Sequence, residues 1–188
     1  MRNPFAIRAE PRLARARLGV FGYFGTCGLV FGMWVAQLPA LDERMHLGTA
    51  RIGTALLLIA AGALAAMPVA GRLCDRLDSR RVARVAGPVS ALSLLGPALA
   101  SDYGVLLVFG AVFGVGCGML EVSMNVNSVE VEARYGRPIV SAFHGAWSLG
   151  GAIGGALTAA GLHAGVDARA MLVAAAVSCP VFYLLAGR

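Results

Sequence analysis

The sequence predicts an all-α membrane protein with six transmembrane helices, and three observations lead there. Of the 188 residues, 58% are apolar and only 14% charged, against about 45–50% and about 25% in soluble domains. The apolar residues gather in runs of about 20, the length a helix needs to cross the hydrocarbon of a bilayer. The 16 basic residues are all arginine and fall in the short stretches between those runs, as charge does in membrane proteins.

That distribution also decides what the net charge of +6 means. A nucleic-acid-binding domain gathers its arginines on one soluble face, whereas these flank apolar runs, so the partner expected is a lipid bilayer and no nucleic acid. Cys27, Cys74, Cys117 and Cys179 are widely scattered, without metal-type or redox-type spacing. His46, His144 and His163 are equally far apart. No metal and no cofactor are expected.

Taken in order, residues 1–17 read as a basic tail carrying Arg2, Arg8, Arg12, Arg15 and Arg17, and the bundle occupies 18–188. The first span, 18–38, is too long and too aromatic for a signal-peptide core, and no small-residue cleavage site follows it. At helical spacing it aligns Tyr23, Thr26, Val30, Trp34 and Gln37. Two rings and an amide suit a small polar solute, the rings packing on its apolar faces and the amide bonding its hydroxyls. Simple helix packing, with Trp34 in the interfacial belt, explains the same stripe.

The second and third spans, 52–71 and 82–100, contain Pro68, Pro88 and Pro97, which a membrane bundle tolerates as bends. The fourth span, 104–128, carries the chemistry. Gly110, Gly114, Cys117, Gly118, Glu121, Asn125 and Ser128 share one face at helical spacing. Its glycines let a second backbone approach closely. A carboxyl at that depth is costly when charged, which makes Glu121 a candidate proton carrier facing a cavity, with Asn125 beside it as a hydrogen-bonding amide. If the helix instead ended near residue 122, Glu121 would sit among headgroups.

The fifth span, 141–162, aligns His144, Ser148, Gly151, Gly155 and Thr158. His144 is placed to relay protons, or to sit as an interfacial histidine near the helix start, and Ser148 to contact solute. The sixth span, 168–186, includes Pro180. Orientation follows from the arginines. Thirteen fall on the side of the two termini and the even-numbered loops, and only Arg44, Arg51 and Arg169 on the other. Positive residues stay inside, so both termini are expected in the cytoplasm and the protein in the inner membrane.

An intramembrane serine protease of the rhomboid type also has six spans, but it requires a base for its serine. Residues 168–186 contain no histidine. The chain is not read as an enzyme.

Residues 71–81, Gly-Arg-Leu-Cys-Asp-Arg-Leu-Asp-Ser-Arg-Arg, resemble the loop between the second and third helices of the major facilitator superfamily of secondary transporters. Gly71, Asp75, Arg76, Arg80 and Arg81 match its pattern. Asp78 stands where the family usually has glycine, and Ser79 where it often has arginine. The matching residues are expected at a cytoplasmic gate. Glu130 and Arg134 of the fourth loop stand i, i+4 apart and can pair, and with Asp75 and Arg76 they would make a charge latch; the alternative is that such exposed charges are simply solvated.

The segment Leu120-Glu121-Val122-Ser123-Met124-Asn125 looks like the fourth helix of the fucose:proton symporter branch, whose glutamate handles proton and sugar. The run from Ser141 to Gly151 is similar to the fifth helix of that branch. Where the branch has an acidic residue late in its first helix, Trp34-Val35-Ala36-Gln37 offers an amide. Drug antiporters of the superfamily carry a Gly-Pro pair in the fifth helix, where Gly154 is followed by Gly155.

The resemblance therefore implies proton-coupled transport of a small polar solute, with a sugar-like one favoured, by alternating access. Because such transporters have two six-helix halves with the solute bound between them, this chain matches the N-terminal half. A complementary six-helix half is then the implied partner. The alternative is a truncated or non-transporting membrane fragment or scaffold.

Overall fold

A computed structural model describes residues 11–187; Arg2, Arg8 and Arg188 lie outside them. Eight helices and no strand occur among the described residues. They are α1 Pro11–Ala36, α2 Leu38–Met45, α3 Gly48–Leu77, α4 Ser79–Leu92, α5 Leu95–Leu99, α6 Tyr103–Tyr135, α7 Val140–His163 and α8 Ala168–Ala186. Stretches long and apolar enough to cross a membrane are Pro11–Met45, Gly48–Leu77, Ser79–Leu99, Tyr103–Tyr135 and Ala168–Ala186. The remaining long helix, α7, has 24 residues, about 36 Å at 1.5 Å per residue. Glycine and alanine stand in it where the other spans have leucine and valine.

Several boundaries differ from those read in the sequence, each for a physical reason. Arg12, Arg15 and Arg17 belong to the first turns of α1, because Pro11 has the fixed φ that opens a helix. Residues 72–77 continue α3, and Asp78 alone turns the chain into α4. The third span breaks at Ser93 and Leu94. Pro97 lies four residues beyond Ser93 and cannot donate to its carbonyl, which accepts from the Gly96 amide at 3.0 Å instead. Arg44 then donates to the carbonyls of Pro97 (2.5 Å) and Ala98 (3.3 Å) at the end of α5.

The helices pack in matched pairs. The most extensive contacts join α1 to α7 and α3 to α6; α4 packs on α6 and α8 on α1, and α4 with α5 meets α8. Exchanging α1 with α6, α3 with α7, and α4–α5 with α8 maps this pattern onto itself. It is the relation expected of two inverted three-helix repeats, although no repeat is visible in the sequence.

Glycine makes both close pairs possible. A Cβ on Gly28 or Gly32 of α1 would overlap the Trp147 or Gly151 carbonyl of α7, and one on Gly150 or Gly154 would overlap the Gly25 or Leu29 carbonyl of α1. Likewise a Cβ on Gly114 or Gly118 of α6 would overlap the Ile59 or Ala63 carbonyl of α3. The small-residue face of the fourth span thus meets a second backbone, as its spacing implies.

Candidate functional site

α6 continues about four turns beyond Glu121 before Gly136, at φ 71°, ends it. Glu121 is therefore not at a helix end. Its half-buried carboxyl lines a cavity of about 200 Å³. Six helices contribute to the wall, among them α1 through Cys27 and Phe31, α3 through Met67, α7 through Trp147 and α8 through Tyr183.

Asn125, one turn further along α6, donates its amide Nδ2 to Glu121 Oε1 at 3.0 Å and to the Glu121 carbonyl at 2.8 Å. The bond holds one carboxyl oxygen in place and leaves the other for a proton or a solute. The pairing follows from the i, i+4 spacing.

The cavity also contains groups that the sequence did not single out. Phe31 and Trp147 lie with ring centroids 5.8 Å apart and supply apolar faces near the carboxyl. Tyr183 is fully buried, and its hydroxyl has no partner among the described residues. Ser90 is buried in the same wall, its hydroxyl bonded to the Gly87 carbonyl at 2.8 Å. The unpartnered Tyr183 hydroxyl could not be foreseen, because in sequence it stands in the apolar run Val181-Phe182-Tyr183-Leu184-Leu185 with no polar residue beside it.

Other residues singled out from sequence lie elsewhere. Trp34 is buried with its ring 6.0 Å from Phe113. Gln37 is 2% exposed and donates to the Ala168 carbonyl at 3.2 Å, joining the end of α1 to the start of α8. Tyr23 is buried against Tyr183, centroids 5.6 Å apart, and lines a different pocket at the arginine-rich end. Of the stripe on α1, Val30 alone reaches the cavity, beside Cys27 and Phe31; Tyr23, Thr26, Trp34 and Gln37 are buried in packing.

On α7, His144 is exposed and meets Phe24 edge-on at 5.1 Å. Ser148, also exposed, donates to the His144 carbonyl at 3.2 Å. Neither lines the cavity, which α7 reaches through Trp147.

At the arginine-rich end, Asp75, Arg76, Arg80, Arg81, Glu130 and Arg134 are all exposed, and Gly71 is half-buried. Apart from the Arg80 amide, which donates to Asp78, the polar ties described there involve other residues. Arg17 donates to the Tyr135 hydroxyl at 2.8 Å with its guanidinium 5.2 Å from the ring centroid. Arg84 bonds the Gly187 carbonyl. Glu132 Oε2 accepts from the Ile139 (2.6 Å) and Val140 (2.8 Å) amides and so caps α7.

Comparison with known proteins decides the family. The family model described as Major Facilitator Superfamily matches residues 19–187. The chain belongs to that superfamily. It is 36% identical over 145 residues to an uncharacterised transporter of Sinorhizobium fredii, covering 77% of this chain and 38% of that protein. An uncharacterised MFS-type transporter of Yersinia pestis is 32% identical over 165 residues, 88% of this chain and 43% of its own length. Membrane protein MosC of Rhizobium meliloti is 31% identical over 124 residues, 65% of this chain and 30% of its own length. The chain spans about two fifths or less of the curated relatives it matches. The chain thus has the multi-pass helical membrane fold of that superfamily, whose members are in general carriers rather than enzymes.

Proposed function

We propose that this chain forms one half of a proton-coupled transporter for a small polar solute, with a sugar-like solute favoured, acting by alternating access. The observation that carries this reading is the Glu121 carboxyl, held by Asn125 in a cavity walled by six helices. An ionisable group at membrane depth is retained where it does work. Glu121 takes up the coupled proton, and the proton's arrival lets the loaded site turn across the membrane.

Asn125, the Tyr183 hydroxyl and the rings of Phe31 and Trp147 are the solute-facing groups. The resemblance of residues 120–125 to the fucose:proton symporter branch supports both the coupling and the sugar-like preference. The exposed face of α7, with His144 and Ser148, is where a complementary six-helix half would lie and where those two residues would join the site. The arginine-rich end faces the cytoplasm across the inner membrane by the arginine count, and Gly71, Asp75, Arg76, Arg80, Arg81, Glu130 and Arg134 form its gate.

The test is substrate-driven proton movement. Proteoliposomes carrying the chain with a complementary half are offered sugars and other polar solutes in weakly buffered medium. The expected result is external alkalinisation with the same solute that accumulates inside. Accumulation without proton movement contradicts the coupling, and uptake confined to apolar compounds contradicts the solute class.

A further inference from the structure

A second pocket, of about 280 Å³, opens at the arginine-rich end between α1, α4, α6 and α8, away from Glu121. Arg12 and Arg15 of α1 and Arg80 and Arg84 of α4 line it, and no acidic residue does among the described residues. Arg84 already gives its Nε and one Nη to the Gly187 carbonyl, and the guanidinium groups gathered around this opening repel each other unless an anion lies among them. Below the arginines the wall is apolar, with Val20 and Val131.

Two buried polar groups reach the same space. Tyr23 is 6% exposed and its hydroxyl has no partner among the described residues. Asn127, 7% exposed, also lines the pocket. A buried hydroxyl without a partner costs free energy that a ligand oxygen would recover. The central cavity and its proton chemistry use none of these groups.

We propose that this pocket binds a phosphate group, that of an anionic phospholipid headgroup, with Arg12, Arg15 and Arg80 on the phosphate oxygens, Arg84 adding its charge from its bond to the Gly187 carbonyl, and Tyr23 donating its hydroxyl from below. Guanidinium forks match phosphate oxygens in geometry and charge. The pocket lies at the basic ends of membrane-crossing helices, the level of the headgroups, where basic pockets between helices take anionic lipids. The apolar wall suits the glycerol and first acyl carbons that accompany a lipid phosphate and not a free one.

The full chain in nanodiscs of mixed phosphatidylglycerol and phosphatidylethanolamine tests this, with lipid retention read by native mass spectrometry after extraction. Phosphatidylglycerol should be retained preferentially. Arg15→Gln and Arg80→Gln, both at exposed positions, should each weaken retention about fivefold. Tyr23→Phe should weaken it about threefold while leaving its salt dependence unchanged, since no charge is removed. Equal retention of the two lipids, or arginine variants that retain phosphatidylglycerol like the parent, would overturn the proposal. So would full displacement of the lipid by millimolar inorganic phosphate, which would make the ligand a soluble anion.

Discussion

At φ 81° and ψ 129°, Asp78 bends the chain between α3 and α4 in a region that glycine enters freely and other residues rarely do. Its carboxylate offsets part of that strain by accepting from the Arg80 amide at 3.1 Å. The departure from the superfamily's usual glycine, visible in sequence, is thus a strained position with a partial remedy. Asp78→Gly should raise thermal stability in detergent by about 1 kcal/mol, since the strain is worth about 1–2 kcal/mol and glycine is a tolerable cap. Asp78→Ala keeps the strain, loses the bond, and should cost about 1 kcal/mol.

Asn125 is the second residue whose role can be separated. Its amide supports Glu121 without titrating, so Asn125→Ala should raise the KM for solute about tenfold and leave the proton-to-solute ratio intact, as measured by paired flux assays. A changed ratio would place Asn125 in the coupling step itself. Both residues of this pair were legible in the sequence because helical spacing and a costly carboxyl are local signals. Tyr183 was not, because its partnerless state depends on which helices α8 meets.

Helix against helix, the bundle rests on backbone contact rather than on large side chains. Gly118 and Gly150 sit where a methyl group would overlap a facing carbonyl, whereas Gly145 faces open space. Gly118→Ala or Gly150→Ala should each destabilise the bundle by about 1–3 kcal/mol. Gly145→Ala should be neutral or stabilising by about 0.5–1 kcal/mol, because it only favours the helix. Thermal unfolding in one detergent compares the three directly.

Helix ends follow similarly local rules. Asp102 accepts from the Val105 amide at 3.0 Å at the start of α6, and that bond, with help from Ser101, holds its carboxyl below the usual carboxylate range. A depressed folded value means the cap stabilises above the unfolded value and fades as pH falls through the folded one. Asp102→Asn should therefore lower the melting temperature relative to the parent at neutral pH, with the gap closing below about pH 4. The sequence indicated the helices themselves but not these ends. It left the Ser93–Leu94 break unread because a proline acts on the carbonyl four residues back.

For the molecule as a whole, apolar run length and arginine placement sufficed to foresee a helical membrane bundle, and the basic 71–81 segment pointed to its superfamily. What escaped was three-dimensional. The inverted pairing of α1–α7 with α3–α6 lies in glycine contacts that no repeat in the sequence announces. The hydrogen bonds that form at the arginine-rich end, Arg17–Tyr135 and the Glu132 cap, were likewise not singled out, since which polar groups meet depends on helix length beyond the membrane. Orientation remains a direct prediction of the arginine count. An impermeant thiol reagent added outside intact cells should leave Cys74, at the basic end of α3, unmodified, and rapid labelling would reverse the assignment.

The most direct test of proton-coupled transport replaces the single carboxyl. In proteoliposomes containing the chain and its complementary half, Glu121→Gln should abolish solute accumulation driven by an imposed proton gradient. Exchange between equal internal and external pools should persist, because the loaded site can still turn without discharging a proton. Full uphill accumulation by the Glu121→Gln protein would contradict the account and leave Glu121 as a polar contact within the bundle.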